Sequence, residues 1–178
     1  MIAPTLLTER LKLSHPSQAD FEPFAALWQN ETVVRFIGGQ KRERQDAWLT
    51  LMRQAGYWSV LGYGCWTVRR RSDDTYLGEV GFMDSLRGMD PDISGRPEAS
   101  WVLDEPYWGQ GYASEALKAT HTWLDQEIPG RSTCIIEPDH SASIRVAQKL
   151  GYVDFAASDY RGKAMLIFER YTSTTQRG

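Results

Sequence analysis

The chain has 178 residues (20.3 kDa), 42% hydrophobic and 24% charged, proportions that suit one ordinary globular domain and exclude intrinsic disorder as a description of the whole. Twenty Lys and Arg against 23 Asp and Glu give a net charge of −3 and a pI of about 5.6. That balance supplies no global electrostatic pull toward DNA or an anionic membrane.

Thr5 to Ser14 alternates and reads as a strand. Ser17, with Asp20 three residues on, approximates a capping box, and Phe21, Phe24, Ala25 and Trp28 then follow at helical spacing. Gly38-Gly39 breaks the chain. A second helix is predicted over Gln40 to Ala55, with Trp48, Leu51, Met52 and Ala55 on one side and Gly56 as its stop. The period then changes. Cys65 to Val68 and Tyr76 to Met83 read as strands, joined by a polar tip, Arg69 to Asp74, whose arginines stand beside two aspartates and read as a solvated turn.

Residues 84–97 are rich in Asp, Pro and Gly and form a loop; Glu98 to Leu103 is the fourth strand. A helix follows over Gly111 to Gln126, with Ala113, Ala116, Leu117, Thr120 and Leu124 inward. Thr133 to Glu137 is the fifth strand, and Ala142 to Leu150 a short helix closed by Gly151. Tyr152 to Ala156 and Ala164 to Tyr171 make a last strand pair. The order βααβββαβαββ is a mixed α/β (α+β) arrangement: one domain over 1–171 and a polar tail over 172–178.

Cys65 and Cys134 both lie in apolar runs and read as buried reduced thiols, with no His or Cys at metal-ligand spacing. The N-terminus reaches Glu9, Arg10 and Lys12 without the apolar core of a signal peptide, and no run of 18 apolar residues occurs. A cytoplasmic protein with no membrane partner and no metal is expected. His15 and His121 read as surface residues.

The stretch from Leu103 to Leu117 is the most informative: a strand end, a loop with Tyr107 and Trp108, then Gly109-Gln110-Gly111 opening an amphipathic helix. Glycines there permit positive φ and close approach of a ligand to backbone, and a helix start offers free N–H groups and a favourable dipole to a phosphate. A P-loop is excluded because no Gly-Lys-[Ser/Thr] follows. A dinucleotide fold wants a third glycine where Ser114 stands, a tighter turn and several β-α-β units; Glu137 alone resembles its ribose-binding acid.

Four segments in this order resemble the GNAT N-acetyltransferases, in particular the Rim-type branch of ribosomal-protein N-terminal acetyltransferases. They are Thr8-Glu-Arg-Leu-Lys-Leu13 with Asp20, Leu77-Gly-Glu-Val-Gly81, Trp108-Gly-Gln-Gly-Tyr-Ala-Ser-Glu-Ala116, and Pro138-Asp-His-Ser-Ala-Ser-Ile144 running to Lys149-Leu-Gly-Tyr152. The resemblance implies a mostly antiparallel central sheet flanked by helices, with the fourth and fifth strands splayed. It implies acetyl-coenzyme A as co-substrate, its pantetheine arm paired with Trp101, Val102 and Leu103. Its pyrophosphate would rest on the backbone of Gly109, Gln110, Gly111, Tyr112, Ala113 and Ser114.

The chemistry implied is direct attack of a primary amine on the thioester, the amine belonging to a protein N-terminus or a small molecule. An alkyl amine is mostly ammonium at neutral pH, so a base is required. Glu98 occupies the position of a frequent family carboxylate and is the first choice, with Glu79 and Asp84 in reserve. The oxyanion would be met by a backbone N–H near Val102 or Leu103. The family's tyrosine acid is replaced here by Ala147; the Rim-type resemblance points instead to a serine on the same helix, Ser143, as acid for the leaving thiolate or as a coenzyme contact.

Two departures stand out: His140 replaces a usual Asn and Pro106 a usual Gln or Arg, the first altering a coenzyme contact, the second removing a side chain but not the backbone cradle. Asp84, Asp90, Asp92 and Asp104 suggest an acidic entrance for a cationic amine. Both monomer and homodimer are open, and the rival reading is a coenzyme A-binding regulatory module without turnover.

Overall fold

A computed structural model of the chain describes residues 1–172, so the expected polar tail, Thr172 apart, lies outside the described residues. The contacts fall into two compact units, Met1–Met83 with Ser100–Thr120, and Asp84–Ala99 with His121 onward. The architecture is mixed α/β with eight strands, as expected for the fold class.

In the first unit the opening alternation is two strands rather than one. β1 (Leu6–Leu7) turns back on β2 (Leu11–Ser14), pairing Leu6 with Leu13. The turn carries neither Gly nor Pro. Thr8 closes it instead: its hydroxyl accepts from Leu11 N–H at 3.0 Å and its own N–H donates to Leu11 O at 2.9 Å. β2 continues antiparallel onto β3 (Cys65–Arg70), β3 onto β4 (Tyr76–Met83), and β4 neighbours the later residues of β5 (Glu98–Leu103). The register shifts between Val68↔Gly78 and Arg69↔Tyr76.

A short 3₁₀ turn, Gln18–Asp20, leads into α1 (Phe21–Gln29). The Asp20 carboxylate accepts from the Ser17 N–H at 2.8 Å and the Ser17 hydroxyl at 2.9 Å, and its other oxygen accepts from Arg69 Nη2 at 2.7 Å. Arg69 is therefore tied to the helix start and not solvated at the hairpin tip as the sequence suggested. α1 packs Phe24, Ala25, Leu27 and Trp28 with Val33 and Val34 of α2 (Glu31–Val34), Ala47 and Leu51 of α3 (Arg44–Leu61), and Val102.

α3 differs from expectation in extent and in face. Gly56 lies inside it, and the helix ends at Gly62, which takes φ +78°. A helical glycine costs only about 1 kcal/mol against alanine. Continuing past it buries Trp58, whose ring meets Trp66 edge-on at 4.5 Å and whose Nε1 donates to Cys65 O at 2.9 Å. The buried positions are Ala47, Thr50, Leu51, Gln54 and Trp58, so Met52 faces solvent and two polar residues face in.

The second unit begins with the loop before β5 and the first residues of β5. Glu98 pairs in parallel with Thr133 of β6 (Arg131–Ile136), β6 pairs antiparallel with β8 (Lys163–Tyr171), and β8 with β7 (Val153–Tyr160). The loop supplies Met89 and Ile93 to a small core with Met165 and Ile167. α4 (Tyr112–Glu127) opens in the first unit and its last two turns belong here; α5 (Ser141–Lys149) follows β6.

His121 corrects the surface reading. It is 3% exposed, and its Nε2 is 3.0 Å from Tyr152 Oη, which in turn lies 3.0 Å from Ser132 Oγ. His15 is half-buried, its Nδ1 accepting from Ala3 N–H at 3.1 Å. Both cysteines are buried thiols outside any disulfide, and burial pushes the Cys134 thiol pKa far upward. No helix among the described residues is long and apolar enough to cross a membrane.

Candidate active site

In the first unit the loop after β5 is built by local bonds. Trp108 Nε1 donates to Leu103 O at 2.6 Å, folding the loop over the strand end across the 3₁₀ turn Glu105–Tyr107. Gln110 Nε2 donates to Pro106 O at 2.8 Å, so this side chain braces the loop. Gly109 and Gly111 take φ +71° and +81°, a conformation other residues adopt only with strain. The chain then enters the 16-residue α4, whose first N–H groups have no partner within the helix. Tyr112 is buried; Ala113 and Ser114 are half-buried. The residues the sequence singled out thus form a loop with two left-handed glycines that opens onto a helix N-terminus.

Arg10 fixes that loop, a role the sequence reading did not assign. Its Nη1 donates to Gln110 O at 3.0 Å, its Nε to Glu115 Oε2 at 2.7 Å, and its guanidinium lies 4.4 Å from the Tyr112 ring centre. Glu115 also accepts from Arg10 N–H at 2.9 Å and from the Thr8 hydroxyl at 2.6 Å. Burial raises the Glu115 pKa and these donors outweigh it, leaving the carboxyl below its usual range. Arg10 and Glu115 stand 105 residues apart, and no local pattern announces such a pair. Beside them a cleft of about 450 Å³ is lined by Glu9, Arg10, Arg70, Arg71, Ser72 and Tyr112. Its arginines are engaged: Arg70 with Asp73, Arg71 with Thr8 O at 2.6 Å.

β5 presents Trp101 half-buried and Val102 and Leu103 buried. Gly78 of β4 lies directly against them. A Cβ there would come 2.1 Å from Val102 O and 2.8 Å from Leu103 Cα, which only glycine tolerates. The next residue, Glu79, is 5% exposed, and its Oε2 has no hydrogen-bond partner. Burial pushes its pKa up to about 7, against the opposing pull of a Gln54 hydrogen bond, of the Arg42 and Arg53 cations and of the Trp28 indole N–H, which donates to it. The Tyr76 Oη atom is likewise buried without a partner. The polar residues that α3 turns inward are accounted for here: Thr50 accepts from Arg42 Nη1, and Gln54 serves Glu79.

In the second unit Glu98 is 4% exposed and held in a fork by Arg87. Arg87 Nε donates to Oε2 at 2.8 Å and Nη2 to Oε1 at 2.7 Å, and the guanidinium lies 4.9 Å from the Tyr160 ring centre. Asp84, a reserve candidate, organises its loop by accepting from Leu86 N–H at 3.2 Å and Gly95 N–H at 2.9 Å. Ser143 Oγ lies 3.0 Å from His140 Nε2 at the start of α5. Burial lowers the His140 pKa, with Glu137 acting in the opposite sense, so the imidazole is neutral at pH 7. Ala147 is fully buried. Among the described residues no group of three His, Cys, Asp or Glu could hold a metal ion.

A family model for the acetyltransferase (GNAT) domain matches residues 10–153, running through segments of both units. A Bordetella pertussis protein assigned to the GNAT acetyltransferase family superposes with a TM-score of 0.85 at 28% identity, over 94% of this chain and 99% of that one. YoaA of Bacillus subtilis (strain 168), an uncharacterised N-acetyltransferase, is 24% identical over 152 residues, 84% of this chain and 82% of its own. RimL, the ribosomal L7/L12 alpha-N-protein acetyltransferase, solved with coenzyme A, shares the fold at a TM-score of 0.75 and 16% identity, over 96% and 98% of the two chains.

Proposed function

The chain belongs to the GNAT acetyltransferase family, and from that premise we propose that it moves the acetyl group of acetyl-coenzyme A to a primary amine. The observation that carries this reading is the cradle at Gly109–Ser114. Two left-handed glycines open a long helix there, and the loop is clamped by Trp108, Gln110 and Arg10, so its N–H groups are fixed before an anion arrives. The residues present therefore fit a diphosphate. On the family resemblance, the backbone of Trp101, Val102 and Leu103 would hold the extended amide arm, and a backbone N–H near Val102 or Leu103 would meet the developing oxyanion.

A thioester is already activated, so the protein needs no nucleophile of its own. It must orient the amine, accept its proton and protonate the departing sulfur. The resemblance gives the first task of proton transfer to Glu98 and the second to Ser143. Ser143, beside a neutral His140, is suited to a coenzyme contact or to delivering a proton. The Arg87 fork takes one lone pair on each Glu98 oxygen, and the second lone pair of each is left for a water or a proton. The acceptor we favour is a protein N-terminus of the Rim type, on the pattern from Thr8 to Leu13 and from Trp108 to Ala116; a small-molecule amine is the second reading.

The test is thermal stabilisation by acetyl-coenzyme A beside coenzyme A, NADH and ATP. A ligand at about 100 times its Kd adds roughly 2.7 kcal/mol, a clear rise in Tm. The coenzyme A forms are expected to stabilise and the others not. An amine panel read by thiol release then sorts peptides from small amines, and a stabilised protein that turns over none of them would favour a coenzyme A-binding regulatory module.

A further inference from the structure

In the first unit, the loop that leads from β5 to α4 is held at both ends by side chains from distant parts of the chain. Arg10 takes its far end at Gln110 O. The near end is Asp104, the first residue beyond β5, and its partner there is Asn30, 74 residues earlier: Asn30 Nδ2 donates to Asp104 Oδ1 at 3.1 Å. The same oxygen accepts from Glu105 N–H at 3.0 Å. The Asp104 N–H donates to Leu77 O at 2.9 Å, and its carbonyl accepts from Tyr107 N–H at 3.0 Å. Asp104, one of four aspartates read as an acidic entrance, thus has one carboxylate oxygen committed where the loop leaves the sheet.

Asn30 is placed for this bond by the helices on either side of it. It ends α1, its N–H donating to Leu27 O at 3.3 Å, and it caps α2, its Oδ1 accepting from Thr32 N–H at 3.0 Å. The cap orients the carboxamide: the oxygen must face Thr32, so the nitrogen turns to Asp104. An aspartate would cap α2 equally well but has no hydrogen to give. The same corner also shares an apolar core with the strand end, since Val33 and Val34 of α2 lie in one cluster with Val102. The α1–α2 corner therefore meets β5 on both sides of Leu103, with Val102 in its core and Asp104 on its amide.

We propose that Asn30 is a positioning residue of the coenzyme site: its bond to Asp104 sets the start of the Gly109–Gly111 loop from the α1–α2 corner, as Arg10 sets its end from the β1–β2 turn. The inference deepens the N-acetyltransferase reading and rests on its coenzyme. Gly109 and Gly111 give the loop backbone freedom that must be removed before its N–H groups can point at one anion. A loop fixed before the ligand arrives spares binding that ordering cost, and a loop released at either end does not. Asn30 acts only through Asp104.

The test measures acetyl-coenzyme A affinity by calorimetry, with Tm alongside, for the wild type, Asn30→Ser, Asn30→Asp and the double exchange Asn30→Asp, Asp104→Asn. Both single variants keep a side-chain cap for α2. The serine is too short to reach Asp104 and adds no charge; the aspartate sets a second acceptor against the Asp104 acceptor. In each the Kd is expected to rise about tenfold, the scale of one lost hydrogen bond to a charged group. The double exchange swaps donor and acceptor across the same gap at unchanged net charge, and should return the Kd to within about threefold of wild type. A Kd for Asn30→Ser within about twofold of wild type, or a double exchange that recovers Tm and leaves the Kd raised, would overturn the proposal. A wild type that binds no form of coenzyme A overturns the underlying reading instead, a result separate from any difference among the variants.

Discussion

Glu98 in the second unit and Glu79 in the first are equally hidden glutamates with opposite surroundings. Glu98 has each oxygen bonded by one arginine; Glu79 lies near two arginines, receives a fork from neither and takes its hydrogen bonds from neutral Gln54 and Trp28. A forked pair of this kind fixes a loop to a strand and punishes the loss of either partner. A carboxyl buried with neutral partners weakens the folded state when it is charged. The contrast teaches that equal burial hides two different environments, one closed by a bonded cation and one not.

Arg87→Met tests the structural half of that contrast and carries the largest expected effect. Removing one partner of a buried pair strands the other charge, at about 3–5 kcal/mol. For a chain of this size the Tm should fall by on the order of 10 °C in scanning calorimetry. The double variant Arg87→Met, Glu98→Gln should recover part of the loss. A fall of a degree or two would erase the distinction.

Glu79→Gln should do the reverse to stability. The folded carboxyl has its pKa raised from 4.5 to about 7, so its contribution is fully present below pH 4.5 and is lost as pH rises through 7. The Gln variant escapes that loss. It should be more stable than wild type at pH 8, by up to about 3 kcal/mol, with the gap closing toward pH 4.5. Denaturant melts at the two pH values decide the matter.

Smaller effects probe the cradle and α3. Gly109→Ala places a side chain in open space at φ +71°, so only backbone strain of roughly 1–2 kcal/mol acts, and acetyl-coenzyme A affinity measured by calorimetry should drop about tenfold. Gly56→Ala, also with open space around it and inside α3, should raise stability by about 0.5–1 kcal/mol without altering turnover.

The sequence disclosed those parts whose physics is local. The strands Tyr76–Met83 and Glu98–Leu103 agree with their predicted bounds, and the loop glycines take the left-handed conformation a phosphate cradle needs. Failures cluster where a distant partner decides. The β1–β2 turn is closed by a threonine rather than by a turn residue, and the inward face of α3 carries Thr50 and Gln54 because Arg42 and Glu79 wait there, so apolar periodicity pointed to Met52. His121 is drawn inside by Tyr152, 31 residues on. The Arg10 clamp and the Arg87 fork depend on partners met only after folding. A charged or polar residue on an expected apolar face was the one available sign of the Glu79 cluster.

The reach of Arg10 has a practical corollary. Ten residues into the chain, a single side chain grips both the loop carbonyl of Gln110 and the first-turn carboxylate of Glu115. Trimming past that point, or crowding the β1–β2 hairpin with a fused affinity tag, would slacken the Gly109–Gly111 loop from a hundred residues away. Fusions intended to leave coenzyme affinity untouched belong at the opposite terminus.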